Sequence, residues 1–270
     1  MLGKLFRHEF RANGRIFLAL YAAFIGITLI NKLFWVIETS NVITEIFRGF
    51  ITVLYVVSIV AIAVLTFILI VYRFYNNLLK DEGYLSFTLP VKTSQHIIAK
   101  LLVSFIFVVF SVIIIVASLF IMGVGAGLVA KIAEFLEQVR LIFTLYSGSL
   151  RFVAEAAVLC IVAVVYLILM LYASLSVGQL FMKHKLGGAV LGFVGLYVIS
   201  QIISSVLMAI LFFGNEKYME IARYGDAATP YMVLDMLNVI FLVVIIFQIV
   251  LSVAYYLVTN LILSKKLNLE

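Results

Sequence analysis

Two stretches of this chain, residues 49–72 and 101–122, contain no charged side chain. Each is long enough to cross a bilayer as a helix, which takes about 20 apolar residues. Four further apolar runs accompany them, at 16–37, 156–182, 188–213 and 232–263. Hydrophobic residues make up 66% of the 270 positions and charged residues 12%. A soluble domain has about 45–50% and about 25%, so this much apolar surface cannot be hidden in a water-soluble core of this size. Unbroken runs with two prolines in the whole chain exclude the short alternating strands of a β-barrel. The expected fold is an all-α integral membrane protein with six transmembrane helices, forming one transmembrane domain over residues 1–270. The opening MLGKLFRHEFRANGR leads into the first apolar run without a small-residue cleavage site and is expected to precede an uncleaved first span. The single cysteine, Cys160, excludes an internal disulfide and is expected as a small core residue.

Charge sets the expected orientation. With six spans, the N-terminus, the 73–100 loop, the 183–187 loop and the C-terminus share one side. That side carries Lys4, Arg7, Arg11, Arg15, Arg73, Lys80, Lys92, Lys100, Lys183, Lys185, Lys265 and Lys266, twelve of the 19 basic residues. Its acids are Glu9, Asp81, Glu82 and Glu270, which leaves it at +8 and the opposite side at −2. Cytosolic loops hold the Lys/Arg excess. The expectation is a multi-pass protein of the cell membrane with both termini cytosolic. The basic balance is then explained by orientation and by anionic lipid, and it implies no nucleic-acid partner.

Two amphipathic helices are expected outside the spans. In residues 1–15, Leu2, Leu5, Phe6 and Phe10 fall on one face and Lys4, Arg7, His8 and Arg11 on the other, the pattern of an interfacial helix. In the 123–155 loop, Leu128, Val129, Ile132, Phe135, Leu136, Val139, Ile142 and Phe143 follow the helical rhythm, against Lys131, Glu134, Glu137, Gln138 and Arg140. Gly123, Gly125 and Gly127 permit a sharp turn before it. This second helix reads as an interfacial cap or as a lid over a substrate path. The last loop on that side, 214–231, is short and mixed in charge.

Nothing in the chain supports catalysis. His8, His96 and His184 lie in separate regions without a metal-ligand partner one turn away, and no HExxH, GxSxG or phosphate-binding motif occurs. Polar residues inside spans are costly and mark either function or interhelical hydrogen bonding. Gln201, Gln248 and Asn238 are the candidates for a polar substrate path, and Glu155 and Asp235 stand near span ends. Ser104, Ser111 and Ser118 recur every seven residues and share one face. Gly188, Gly192 and Gly195 open the fifth span and point to close helix packing, within the chain or with a second copy.

The 73–100 loop, RFYNNLLKDEGYLSFTLPVKTSQHIIAK, stands between two charge-free spans. Phe74, Leu78 and Leu79 can extend the second span as a helix, Gly83 can end it, and Pro90 stops any further turn. Tyr84, Leu85, Phe87 and Leu89 place apolar groups beside water, as a docking site for a protein cleft does, or a loop whose aromatics rest on the inner membrane interface. Thr93 or Ser94 can cap the third span. At these residues the chain resembles a family. EGYLSFTLPVKTSQHIIAKLL is similar to the coupling segment of short bacterial ABC export-type permeases, with an acid–Gly–aromatic step and a Leu–Pro pair after the second span. LGKLFRHEFRANGRIF is similar to their N-terminal connecting helix. The resemblance implies ABC ATPase subunits as partners, a second permease copy or sister permease, and ATP and Mg held by the ATPase and not by this chain. It implies docking through Asp81, Glu82, Gly83, Tyr84, Phe87 and Pro90, with Glu82 as acidic contact, Gly83 as turn, and Tyr84 and Phe87 as apolar plug. The readings set beside it are a membrane interaction or sensor subunit of a resistance module, and a secondary transporter. The latter is disfavoured by the lack of inverted repeats and broken spans.

Overall fold

A computed structural model describes residues 2–37, 41–80, 91–123, 128–145, 148–181, 184–216, 219 and 230–265. All regular structure among them is helical. The elements are α1 (Leu2–Val36), α2 (Val42–Phe74), a π-helical segment (Tyr75–Leu79), α3 (Thr93–Gly123), α4 (Leu128–Leu145), α5 (Ser149–Gly178), α6 (Lys185–Phe213) and α7 (Pro230–Lys265). Many of these residues are β-branched and favour helix only weakly in water. In lipid the backbone must satisfy its own hydrogen bonds, and a helix does so within one segment. Pro230 stands at the first position of α7, where its missing N–H is harmless. Six of the helices are long and apolar enough to cross a membrane, the pattern of a multi-pass membrane protein.

The helices run past the apolar runs that announce them. The first begins at Leu2, so residues 2–15 are continuous with the first span. Two of their apolar side chains meet protein: Phe6 stacks on Phe10 at 5.9 Å between centroids, and Phe10 on Phe107 at 5.3 Å. The third begins at Thr93, before the apolar stretch, because His96 and Lys100 are buried there. Helix therefore covers both ends of the expected 73–100 loop. The fourth ends at Gly178, short of residue 182, where a close approach to α6 intervenes. Cys160 is not a core residue. It is exposed on α5.

The chain divides into two compact units, Met1–Phe74 with Leu89–Leu136, and Tyr75–Thr88 with Glu137–Glu270. In the first, α1 packs on α2 and α3, and α2 on α3. The buried residues of α1 are Glu9, Asn13, Phe17, Phe24, Thr28 and Asn31, one stripe at helical spacing. Phe17 stacks on Phe107 at 4.3 Å, and Phe24 on Tyr55 at 6.3 Å. Between helices in lipid, packing and hydrogen bonds replace the hydrophobic drive of water. The serine face of α3 supplies them. Ser111 Oγ lies 2.9 Å from the Tyr21 hydroxyl and 2.8 Å from Thr66 Oγ1, so one serine joins all three helices. Ser118 Oγ lies 3.1 Å from the Tyr55 hydroxyl. At the end away from residues 81–90, Arg48 donates to the carbonyls of Phe34 and Ile37, and Lys32 to that of Met122. These cations meet the carbonyl-rich ends of α1 and α3, where positive charge is favoured.

In the second unit α5 packs on both α6 and α7. Phe152 stacks on Phe241 at 5.2 Å, and Tyr166 meets Tyr255 at 5.7 Å. The two contacts share one sequence offset, so α5 and α7 run in the same direction. The Tyr255 hydroxyl bonds those of Tyr166 and Ser200, linking α5, α6 and α7.

Candidate functional site

The proposed docking residues Asp81, Glu82, Gly83, Tyr84, Phe87 and Pro90 lie outside the described residues. What is described is the frame from which that stretch departs and to which it returns. On the leaving side, Arg73 in the last turn of α2 donates from Nη2 to the carbonyl of Ala12, 2.8 Å away on α1. The π-helical turn follows, with Leu78 and Leu79 buried and the Lys80 ammonium 5.7 Å from the centroid of the Tyr75 ring. On the returning side, α3 starts at Thr93 and buries His96, Ile97, Ala99 and Lys100 within its first two turns. Lys100 Nζ donates to Glu9 Oε1 at 2.6 Å, with the side chains 4% and 9% exposed.

The local cause is the stripe on α1. Asn13 and Glu9 continue the line of Phe17 and Phe24 one and two turns toward the N-terminus, so the packing that buries the phenylalanines also buries the carboxylate. A buried carboxylate requires a partner, and Lys100 is the cation that α3 brings to it. Replacing such a pair by apolar groups is often neutral, whereas removing one partner costs about 3–5 kcal/mol. The pair therefore fixes register more than it adds stability. The first turns of α1 thus hold the last turn of α2 through an arginine–carbonyl bond and the first turns of α3 through an ion pair. Among the described residues the arrangement carries no nucleophile paired with a base.

The three polar span residues are divided between α6 and α7. Gln201 is exposed on α6. Asn238 and Gln248 both lie on α7, ten positions and therefore about 15 Å apart along the axis. Asn238 Oδ1 and Gln248 Oε1 are buried without a hydrogen-bond partner, as is Ser252 Oγ one turn beyond Gln248. Glu155 pairs with Arg151 at 2.7 Å on α5, and Asp235 is exposed.

The three glycines separate as well. A Cβ at Gly192 would meet the Ser174 carbonyl at 3.2 Å, and one at Gly188 would collide with the Phe181 ring. Both neighbours belong to the same chain, so these glycines admit close packing within it. Around Gly195 there is open space. A close backbone approach between α5 and α6 falls at Gly178, which the sequence reading passed over: its Cβ would lie 2.6 Å from the Ala189 nitrogen and 2.7 Å from the Lys185 carbonyl. The signal available in the sequence was its place four residues before the polar stretch MKHK. Glu9 was equally readable, as an acid on the apolar face of an otherwise basic segment. No family model matches the chain, and no similar curated protein or solved structure was found.

Proposed function

We propose that the chain is the membrane-spanning permease subunit of an ATP-driven ABC exporter. It would pair with a second permease copy or a sister permease and with separate ATPase subunits that hold ATP and Mg. Its cargo would be amphipathic or hydrophobic: a peptide, a lipid or a drug. The 81–90 stretch would face the cytosol and dock on the ATPase, with Asp81 and Glu82 as acidic contacts, Gly83 as the turn, Tyr84 and Phe87 as the plug and Pro90 as the stop.

One observation supports this reading above the others: the helix that precedes that stretch in the chain and the helix that follows it are both fastened to the first turns of α1, by Arg73 to Ala12 and by Lys100 to Glu9. A displacement applied to a segment so anchored moves α1, α2 and α3 together. A segment that only decorated the surface would need no buried ion pair at its root. The test is a triple variant, Glu82→Lys with Tyr84→Ala and Phe87→Ala, expressed with its candidate ATPase and reconstituted. Aromatic anchors at interfaces commonly contribute about 2 kcal/mol or more each, so co-purification should fall at least about tenfold while membrane insertion persists. Unchanged ATPase binding and unchanged substrate-stimulated turnover would shift the reading to an interaction or sensor subunit.

A further inference from the structure

The helix α4 (Leu128–Leu145) presents its charges to one side and its apolar residues to the other, yet every side chain described on it is exposed or half-exposed. Phe135 is 61% exposed, Leu136 58% and Phe143 39%. Ile132, Phe135, Leu136, Val139 and Phe143 recur at i, i+3, i+4, i+7 and i+11, which places them on one arc. Glu134, Glu137 and Arg140 project from the rest of the surface, with Arg140 3.5 Å from Glu137. So broad an apolar face left open requires a cover.

Tether length identifies the cover. The helix starts five positions after α3 ends at Gly123, and α5 starts four positions after it ends at Leu145. An extended chain reaches at most about 3.5 Å per residue. Both ends of α4 are therefore held within about 20 Å of the ends of two helices long and apolar enough to cross a membrane. The helix itself is not among those candidates for crossing. We infer that α4 lies flat in the headgroup region of the bilayer, with Ile132, Phe135, Leu136, Val139 and Phe143 in lipid. This does not depend on the transport reading.

The charges refine the partner. Lys131 and Arg140 are balanced by Glu134 and Glu137, so apolar burial, and not attraction to anionic headgroups, holds the helix down. The N-terminal turns differ, with Lys4, Arg7, Arg11 and Arg15 around the one acid Glu9. Binding of α4 to zwitterionic lipid should need no anionic lipid and should resist salt.

The experiment uses the full chain in phosphatidylcholine vesicles. Trp35 is the only tryptophan, so Trp35→Phe gives a silent background for Phe135→Trp on the apolar arc and Glu137→Trp opposite it. Lipid with brominated acyl chains should quench the Phe135→Trp reporter severalfold more than the Glu137→Trp reporter, and aqueous acrylamide should show the reverse order. Adding phosphatidylglycerol or raising salt should leave both unchanged. Equal quenching of the two reporters overturns the proposal. So does a Phe135→Trp reporter that neither quencher reaches, which would mean that a second copy or another segment covers the face. Quenching that appears only with anionic lipid overturns the charge-neutral anchoring.

Discussion

The two units are built from similarly long apolar helices and satisfy their polar groups to different degrees. In the first, Ser111 joins Tyr21 and Thr66, Ser118 joins Tyr55, and Glu9 joins Lys100 across helix boundaries. In the second, Tyr255 joins Tyr166 and Ser200, but Asn238 Oδ1, Gln248 Oε1, Ser252 Oγ and both amide atoms of Gln179 are buried without a partner among the described residues. The first unit has Asn13 Oδ1 and Arg73 Nε in that condition. Where water is absent, a made interhelical hydrogen bond contributes about 0.6 kcal/mol on average. A buried polar atom left unmade costs about 1–3 kcal/mol. The first unit is thus the more cross-linked by its polar residues, and the second leaves more of their buried atoms unmet.

The largest effect that probes this contrast lies at the ion pair. Lys100→Met should destabilise the protein by about 3–5 kcal/mol, because Glu9 is left charged and buried. Glu9→Gln combined with Lys100→Met should recover most of the loss in thermal unfolding in detergent. A single variant as benign as the double would mean that the pair is solvated and the first unit is not locked at that end.

A smaller effect is expected from the glycines of the second unit. Gly192→Leu must displace the Ser174 carbonyl and should cost about 1–3 kcal/mol by overpacking. Gly195→Leu, facing open space, should change the unfolding temperature hardly at all. If Gly195→Leu instead disrupts the assembly of two copies, the dimer surface lies on that face of α6.

The smallest effects test the comparison most directly, because their signs should differ. Ser111→Ala removes hydrogen bonds across three helices and should destabilise by about 1 kcal/mol. Ser252→Ala removes an unmet hydroxyl and should be neutral or stabilising in the same assay. Equal losses at both sites would show that Ser252 has a partner, such as a bound water, and would erase the difference between the units.

The sequence carried the spans because apolar length is a one-dimensional property. It carried the serine seam because a seven-residue spacing fixes a face wherever the helix lies. It could not say that Ser111 would meet Tyr21 and Thr66, since those residues come together only when three helices pack. Gly192 was legible as a close approach, but not that its neighbour within the chain would lie on α5. The link between Glu9 and Lys100 was hidden for a different reason. Each residue has an ordinary local explanation, an acid in a basic tail and a cation at a loop end, and only the docking of α1 on α3 removes both from water. Nor does composition specify helix rotation, which leaves Gln201 exposed on α6 while Gln248 Oε1 is buried on α7.

The length of α1 has a mechanical meaning. Its 35 residues extend about 52 Å at 1.5 Å per residue, and a bilayer's hydrocarbon is about 30 Å thick. About 20 Å of an unbroken rod must then stand clear of the lipid tails. Glu9 falls in that overhang, roughly 10 Å from the start of the apolar run at Ile16. Its ion pair thereby escapes most of the roughly 2.5–3.5 kcal/mol that a charge costs at the bilayer centre. On the proposed docking reading the headgroup layer would act as a fulcrum, with a short arm around Glu9 and a long arm in the membrane. By that ratio of arms, a sideways displacement of 2 Å at the short end would appear as about 3 Å at the far end of α1.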